Sequence, residues 1–401
     1  MRSTRRPWGA HGSSAGPARR VGALSAALAL TVAPAALCAP ALAASGGAAS
    51  AVGGPLLAGR GVAVQPLPGA PALPQRLTAK SWLVADLTSG AVLAAKGAHV
   101  RHLPASTLKT LTAATLIPRL DPHATFRATN RDASVDGTRV GLVPKMRYSI
   151  RKLFQAMLIM SANDAADALA EANGGIAKTV AQMNATAARL QAYDTHADTP
   201  SGLDGPHEST SAYDLALIWR HDWQLPAFRK YLTTVRTAMP APHHKHYQIY
   251  THNYLLTTFR GDLGGKNGYT VAARATYVGV ARRAGHTILI SLMDAYPDFW
   301  PDARALFGWG FQADGKVTPV GQLVGPEPSR AVPPAAQPVA ASIAHPSATG
   351  AGAVSDDGRY AELAALSASV VALGWLAVRR QRRMRRARRP RGWPPLNRPL
   401  R

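Results

Sequence analysis

The stretch Pro104-Ala105-Ser106-Thr107-Leu108-Lys109 places a serine and a lysine three residues apart at the start of a predicted helix. Residues three apart lie on one face of a helix, so the two side chains are expected to be neighbours. A serine hydroxyl is a poor nucleophile until a base removes its proton. A lysine can be that base only where a dry site or a nearby cation keeps it partly neutral. Ser106 and Lys109 are therefore candidates for a nucleophile and its general base, and N–H groups at the helix N-terminus favour a developing oxyanion.

The same spacing occurs a second time, in Ser149-Ile150-Arg151-Lys152. In this copy we predict Ser149 to be a helix N-cap and Lys152 to be a surface residue, because a longer helical pattern begins at Ile150. The tetrapeptide alone is thus not specific, and other segments have to distinguish the two copies.

Two further segments carry polar groups suited to a binding site. Ser161-Ala162-Asn163 interrupts the helical pattern of residues 150–172 and can present a hydroxyl and an amide, or it can simply cap the next helix. Gly264-Gly265-Lys266-Asn267-Gly268-Tyr269-Thr270 has glycines that let a strand approach a ligand closely. Its lysine can bind a carboxylate or lower the pKa of a second lysine; the alternative is a glycine-rich turn with an exposed lysine.

The order Ser-x-x-Lys, Ser-x-Asn, Lys-x-Gly in one chain resembles the penicillin-recognising constellation. The chain is similar to the serine D-alanyl-D-alanine carboxypeptidases among the low-molecular-mass penicillin-binding proteins. The resemblance covers about residues 75–313 and includes the segments Gly202-Leu203-Asp204 and Ser209-Thr210-Ser211-Ala212-Tyr213-Asp214-Leu215-Ala216. It implies an α/β (α+β) fold of the β-lactamase/transpeptidase type, with an antiparallel sheet flanked by helices and a helical subdomain.

The resemblance also implies roles for individual residues. Ser106 attacks the carbonyl of the penultimate D-alanine, Lys109 is the general base, and Ser161 relays a proton to the departing amine. Lys266 steers the terminal carboxylate and keeps the base partly neutral, while backbone N–H groups of Ser106 and Tyr269 form the oxyanion hole. The residues implied in substrate binding are Asn163, Lys266, Asn267, Gly268, Tyr269 and Thr270.

One position departs from the family pattern. The third motif usually has Thr in its middle, and this chain has Asn267. The amide keeps a hydrogen-bonding group there but replaces a hydroxyl, which puts substrate preference and β-lactam affinity in question and leaves the nucleophile assignment untouched. Many relatives also have a second, β-rich domain before the anchor, for which the sequence after residue 313 leaves no room.

Other polar residues are weaker candidates, and no cofactor or metal is predicted. Glu171 and Glu208 do not lie in an obvious deacylating loop, and Asp164 and Asp167 are expected at a helix start and on the surface. A cluster of histidines lacks a compact set of carboxylate partners, so we expect a polar loop near the rim of the site rather than a metal centre. These histidines are His243, His244, His246 and His252.

Periodicity predicts strands at both ends of the folded unit and helices between them. The strands form two hairpins, Ser81–Asp86 with Ala91–Ala94 and Thr276–Val280 with Thr287–Met293. Helices are predicted at Ala105–Ile117, Ile150–Ala172, Ser211–His221 and Phe299–Phe311. This order favours an antiparallel sheet packed against helices.

The charge of the chain lies mostly in its two ends. The 401 residues include 46 Lys and Arg against 22 Asp and Glu, a net charge of +24. Five Arg lie in residues 1–20 and eleven in residues 379–401, which leaves the interior at only +8. The basic balance is therefore weak evidence for nucleic-acid binding, and none is predicted. The single cysteine, Cys38, excludes a disulfide scaffold.

The N-terminal sequence predicts an export signal over residues 1–43. Its arginines precede an apolar core at about Leu24–Leu37 and the small-residue site Ala41-Leu42-Ala43. Lipidation of Cys38 is disfavoured because Leu37 occupies a position that normally holds a small residue. Residues 44–74 are expected to be unstructured.

The C-terminal sequence predicts a tethered anchor. Residues 314–360 are rich in Pro, Ala, Gly and Ser and are expected to form an extended linker. Residues 361–378 are expected to span the membrane, although the uncharged run of 16 residues covers only ~24 Å of a ~30 Å hydrocarbon core. The arginines of residues 379–401 predict a cytoplasmic tail with the rest of the chain outside; a solvated tail or a nucleic-acid-binding arm are the alternatives.

Taken together, the sequence predicts an exported enzyme that trims the terminal D-alanine of peptidoglycan pentapeptides and is inhibited by β-lactams. Its partners would be peptidoglycan stem peptides, β-lactams and the cytoplasmic membrane. The alternatives are a β-lactamase or DD-endopeptidase on the same fold, a non-catalytic penicillin-binding scaffold, and a membrane-tethered adaptor.

Overall fold

The computed structural model describes residues 51–327. Its strands are β1 Val62–Pro66, β2 Ser81–Asp86, β3 Ala91–Lys96, β4 Thr125–Arg127, β5 Arg147–Ser149, β6 Arg236–Pro240, β7 His246–Tyr250, β8 Asp262–Thr270, β9 Arg274–Arg283, β10 His286–Ala295, β11 Val317–Thr318 and β12 Gly321–Gln322. Its α-helices are α1 Lys109–Leu116, α2 Asn130–Ala133, α3 Ile150–Ile159, α4 Asn163–Ala172, α5 Ile176–Arg189, α6 Ala212–Asp222, α7 Pro226–Leu232, α8 Leu255–Thr258 and α9 Trp300–Ala313. Short 3-10 turns lie at Pro55–Ala58 and Ala105–Leu108.

One antiparallel sheet organises these elements. Its strand order is β11-β1-β3-β2-β10-β9-β8, and β12 pairs with β3 beside this path. The central strands are apolar on both faces because helices cover both sides. In β10, for example, Leu289 belongs to the core shared with α6, while Ile288 and Ile290 belong to the core under α9. This alternation is what a strand requires when each face packs on a separate layer.

A helical layer covers the face that carries the site. Every residue of α1 is buried, and this helix contacts α3, α4, α5 and α6. The pattern over residues 150–172 is indeed interrupted: α3 ends at Ile159 and α4 begins at Asn163. Ser211 caps α6 by accepting a hydrogen bond from the Asp214 N–H. Both predicted hairpins are confirmed as β2–β3 and β9–β10.

The expectation that residues 44–74 are unstructured is wrong for the residues described, 51–74. Strand β1 pairs with β3 and with β11, and Leu57 is fully buried in the core. Glycine and proline interrupt the apolar residues of this stretch so often that no helix or strand period is visible, although pairing with strands from elsewhere in the chain orders it.

The predicted start of the linker at residue 314 is also wrong. Residues 317–323 return to the sheet as β11 and β12 and bury Val317, Val320 and Leu323. The folded unit therefore continues past residue 313, because three spaced apolar side chains are enough to dock a segment whose average composition resembles a tether.

Several predictions fall outside the described residues. These are the signal at residues 1–43, the greater part of the linker, the anchor at 361–378 and the tail at 379–401. Among the helices of residues 51–327, none has the length and apolar character needed to cross a membrane.

Candidate active site

Ser106 lies in the 3-10 turn that leads into α1, and a contact from β9 fixes this turn. The Thr276 hydroxyl donates to the Pro104 carbonyl over 2.8 Å. Ala105 has a φ of 47°, a left-handed conformation that is unfavourable for alanine and persists only where the surroundings enforce it. The turn is therefore held by β9, and it leaves Ser106 partly exposed at its surface.

Two glycines enforce the turn by their lack of a side chain. A Cβ on Gly202 would lie 1.9 Å from the Ala105 carbonyl oxygen, and a Cβ on Gly268 would lie 2.6 Å from the Ser106 nitrogen. Neither distance is compatible with any other residue. The glycine of the third motif is thus required because the β8 backbone passes directly beside the candidate nucleophile.

Lys109 is completely buried and has three polar neighbours. Its Nζ lies 2.9 Å from Ser106 Oγ, 2.7 Å from Asn163 Oδ1 and 2.6 Å from the Ser201 carbonyl oxygen. Burial lowers the pKa of Lys109 well below its usual value, and the charge of Lys266 lowers this pKa further.

These contacts fit a neutral amine. Two of the neighbours are carbonyl oxygens, which only accept, so two N–H groups of Lys109 are directed to Asn163 and Ser201. The amide orientation of Asn163 is itself fixed, since its Nδ2 donates to the Asp136 carbonyl over 2.7 Å. The third position on Nζ, which carries the nitrogen lone pair, faces Ser106 Oγ. This lone pair can accept the proton of the serine hydroxyl.

The break between α3 and α4 presents Ser161 and Asn163. Ser161 has a φ of 66°, and its hydroxyl accepts a hydrogen bond from Lys266 Nζ over 3.0 Å. The Asn163 N–H donates to the Thr138 carbonyl, and the side chain contacts Lys109. The segment therefore supplies one hydroxyl and one amide to the site, and Asn163 also begins α4.

Lys266 is the second buried lysine. Its Nζ donates to Ser161 Oγ over 3.0 Å and to the Asn267 carbonyl over 2.6 Å. Burial lowers the pKa of Lys266 to about 7. Near neutral pH this lysine is thus present in both protonation states, and its charged form acts on Lys109.

Strand alternation divides the rest of the third motif between two faces. Lys266, Gly268 and Thr270 share the face that meets Ser106. Asn267 is paired with Tyr277 in the register and shares the opposite face with it, so its backbone carbonyl, rather than its amide, contacts Lys266. Tyr269 is more than half exposed at the rim.

The part of the chain that carries this site matches a known protein family. The family model Peptidase S11, described as D-alanyl-D-alanine carboxypeptidase, matches residues 69–296. The chain belongs to this family. It is 41% identical over 265 residues to the D-alanyl-D-alanine carboxypeptidase DacB2 of Mycobacterium tuberculosis, which corresponds to 64% of this chain and 88% of that protein. It is 34% identical over 172 residues to DacD of Escherichia coli, covering 40% of this chain and 44% of that protein.

Solved structures agree with the S11 assignment. The crystal structure of a D-alanyl-D-alanine carboxypeptidase from M. tuberculosis superposes with a TM-score of 0.62 at 40% identity and covers 65% of this chain and all of that one. The Streptomyces K15 DD-transpeptidase superposes with a TM-score of 0.58 at 22% identity, covering 60% and 99% of the two chains. At this identity the second match concerns the fold alone. The chain is thus an S11 serine peptidase with the penicillin-binding/transpeptidase fold.

Some residues of this S11 site were not predicted as site residues. The Ser201 carbonyl contacts the candidate base, and Asp204 accepts a hydrogen bond from the Thr270 hydroxyl over 2.8 Å. Asp204 ends the segment Gly202-Leu203-Asp204 that the family resemblance had already marked, and Ser201 directly precedes that segment. A carbonyl group carries no side-chain signal, so only that proximity to the motif could have indicated it.

Two acids near the site are buried. Asp164 lies at a helix start as expected, but it is buried and accepts hydrogen bonds from the N–H groups of Val140, Gly141 and Leu142, which fixes the loop beside Asn163. Glu208 is buried, and burial raises its pKa to about 8.

The histidines of the predicted polar loop lie apart from the residues whose spacing could suit a metal ion. His243, His244 and His246 are exposed around the turn between β6 and β7. Within residues 51–327 the cluster close enough for a metal is His99, Asp194 and Asp214. Both ring nitrogens of His99 are engaged, Nδ1 by Asp194 at 2.7 Å and Nε2 by the Val52 carbonyl at 3.0 Å, so this cluster fits a charged histidine paired with a carboxylate.

Proposed function

We propose that this S11 peptidase removes the terminal D-alanine of peptidoglycan pentapeptides through an acyl-enzyme on Ser106. The observation that carries this proposal is the arrangement around Lys109. Two carbonyl oxygens accept hydrogen bonds from its N–H groups, and the lone pair of Nζ faces Ser106 Oγ at 2.9 Å. A buried amine held in this way is suited to remove a proton from the serine hydroxyl.

Acylation would begin when the Ser106 proton moves to Lys109 Nζ and Oγ bonds to the carbonyl carbon of the penultimate D-alanine. The carbonyl electron pair moves onto its oxygen, where backbone N–H groups of Ser106 and Tyr269 would stabilise the negative charge. The amide bond then breaks, and the proton held on Lys109 passes to the departing amine, which leaves Lys109 neutral for the next step. Ser161 is suited to relay this proton, because its hydroxyl contacts Lys266.

Deacylation would return the enzyme to its starting state. A water molecule gives a proton to the base and attacks the ester carbon, and Ser106 regains its proton on leaving. In β-lactams the leaving nitrogen stays attached to the acyl group, so the ester on Ser106 is expected to persist. Lys266 and Thr270 are proposed to bind the terminal carboxylate, and Asn163 the substrate amide.

The catalytic alternatives share this acylation step. A β-lactamase would hydrolyse the penicilloyl ester rapidly, and a DD-endopeptidase would cut cross-linked dimers in preference to pentapeptides. A non-catalytic scaffold is disfavoured, because both lysine–serine hydrogen bonds of the site are formed. Lys109 lies 2.9 Å from Ser106 Oγ, and Lys266 lies 3.0 Å from Ser161 Oγ.

The experiment is intact-mass analysis after exposure to a penicillin, followed by peptide mapping of the adduct and by measurement of D-alanine release from a pentapeptide. We expect one adduct on Ser106, its loss in Ser106→Ala, and D-alanine release by the wild type. Ser149→Ala is the matched control, because Ser149 begins the second Ser-x-x-Lys and caps α3. Labelling that survives Ser106→Ala, or a wild type that releases no D-alanine, contradicts the proposal.

We also propose that the chain acts outside the cytoplasm, attached to the bacterial membrane by residues 361–378. The support is the sequence: an export signal at one end, and an apolar run followed by arginines at the other. Fractionation of the full chain and of a truncation after residue 360 tests this. The full chain is expected in the membrane fraction and the truncated chain outside it; equal distribution contradicts the anchor.

A further inference from the structure

Thr270 ends β8 on the same face as Lys266 and Gly268, and its hydroxyl already has partners. Its Oγ1 donates to Asp204 Oδ1 over 2.8 Å and accepts from the Ala273 N–H over 2.9 Å. A hydroxyl has a single proton. The hydroxyl proposed to bind the terminal carboxylate of the substrate therefore gives its proton to a carboxylate of the enzyme itself.

We propose that Asp204 is a specificity-determining residue that competes with the terminal carboxylate of the substrate for the Thr270 hydroxyl proton. This inference rests on the proposed function. When substrate binds, its carboxylate takes the place of the Asp204 carboxylate at Thr270. When D-alanine is released, Asp204 returns and favours departure of the product.

The exchange requires only a side-chain rotation. The backbone before Asp204 is fixed, since Gly202 packs against the Ala105 carbonyl and its N–H donates to Thr199 Oγ1 over 2.9 Å. Asp204 itself is exposed, and within residues 51–327 its carboxylate accepts no hydrogen bond other than the one from Thr270. Rotation into solvent thus breaks a single contact and leaves the segment that supplies the Ser201 carbonyl to Lys109 in place.

Charge strengthens the competition. Two carboxylates that approach one hydroxyl repel each other, so an anionic substrate displaces Asp204 at a cost that a neutral substrate does not meet. Asp204 therefore weakens the binding of every ligand with a free terminal carboxylate, including the product. A matching peptide that ends in a carboxamide is not subject to the repulsion.

The experiment compares Asp204→Ala and Asp204→Asn in the full chain with two substrates: an acyl-D-Ala-D-Ala peptide and the same peptide with a terminal carboxamide. We expect Asp204→Ala to lower KM for the free carboxylate by about threefold, within the range of exposed charge interactions. Asp204→Asn should have a smaller effect, because its amide oxygen still accepts the hydroxyl proton without the charge. Inhibition by added D-alanine should strengthen in the same order, and KM for the carboxamide should stay unchanged.

The matched control is Asp298→Asn, which removes an exposed carboxylate next to α9 on the other side of the sheet. It should change neither KM. An unchanged KM for the carboxylate peptide in Asp204→Ala, or an equal change for both peptides, overturns the inference. A wild type that releases no D-alanine from the carboxylate peptide instead overturns the proposed function. Melting temperatures of the variants distinguish a loss of folding from a change in binding.

Discussion

Lys109 Nζ lies 2.9 Å from Ser106 Oγ, at the bottom of a site where the lysine has no solvent exposure at all. The contact joins two residues three apart at the start of α1, but its chemistry depends on partners from three other parts of the chain. The Asn163 side chain and the Ser201 carbonyl accept hydrogen bonds from Lys109. Lys266 adds a positive charge close enough to lower the pKa of Lys109.

Lys109→Arg is expected to reduce acylation by a penicillin by about 10²- to 10⁴-fold, the usual contribution of a general base. A guanidinium stays protonated and cannot take the Ser106 proton. The measurement is the rate of labelling by a fluorescent penicillin. Lys152→Arg, in the second Ser-x-x-Lys, should label at the wild-type rate; comparable labelling by the two variants would show that Lys109 is not the base.

The acylation rate should rise with pH through the lowered pKa of Lys109, because only the neutral amine accepts a proton. In Lys266→Gln a positive charge is removed, so the pKa of Lys109 should increase and the acid limb of the profile should move to higher pH. The shift, rather than the rate, is the diagnostic, since Lys266 is also proposed to bind substrate. A profile that stays in place or moves to lower pH would exclude this coupling.

Gly202→Ala should destabilise the fold by about 3 kcal/mol or more, because a left-handed φ of 76° is combined with a Cβ placed 1.9 Å from the Ala105 carbonyl. Displacing Ala105 moves Ser106, so acylation should fall by about 10²-fold. Gly141→Ala is the matched control: its φ of 83° is similar but its Cβ meets open space, which predicts a loss of only about 1 kcal/mol. Urea unfolding and labelling rates measure both effects, and equal losses in the two variants would contradict the steric explanation.

Glu208 should make the protein less stable as pH rises from about 4.5 to 8. Burial raises its pKa to about 8, so over this interval the folded chain retains a proton that the unfolded chain has released. The free energy of unfolding therefore falls with pH. Glu208→Gln removes this loss of stability. The difference in free energy of unfolding between the variant and the wild type should therefore be about 1 kcal/mol or more in favour of the variant at pH 8.5, relative to the same difference at pH 5.

Urea unfolding at the two pH values measures this difference. Glu171→Gln is the control, because that carboxylate is partly exposed and pairs with Arg131. If the two variants have the same pH dependence relative to the wild type, Glu208 is not the group responsible.

The spacing of residues within one segment of the sequence predicted the parts of the site that this segment forms by itself. Ser106 and Lys109 share a helix face, and the interruption at Ser161 follows from small and polar residues within an apolar helical pattern. The Ser201 carbonyl could not be predicted, since a backbone group brought in by a loop 92 residues away has no pattern of its own. Asp164 was expected on the surface because an acid at a helix start usually is, whereas here three backbone N–H groups of another loop compensate its burial.

The sheet was predicted where strands are apolar and was missed where they are short. β9 and β10 are long and buried, so their pattern is clear. β1, β11 and β12 lie in stretches rich in glycine and proline, and they become strands only because partners elsewhere in the chain offer hydrogen bonds. Fold class followed from the order of the predicted strands and helices and from the family resemblance, whereas neither gave the correct domain limits.

The pairing of β1 with β11 brings the two ends of the described chain together, with Gln65 opposite Thr318 and the Gln322 N–H donating to the Gly53 carbonyl over 2.8 Å. Tension between these ends would be carried by hydrogen bonds at this edge before it reached β8, six positions away in the sheet order. A force applied across the two ends of the described chain would therefore break the contacts of this edge before it changed the geometry around Ser106.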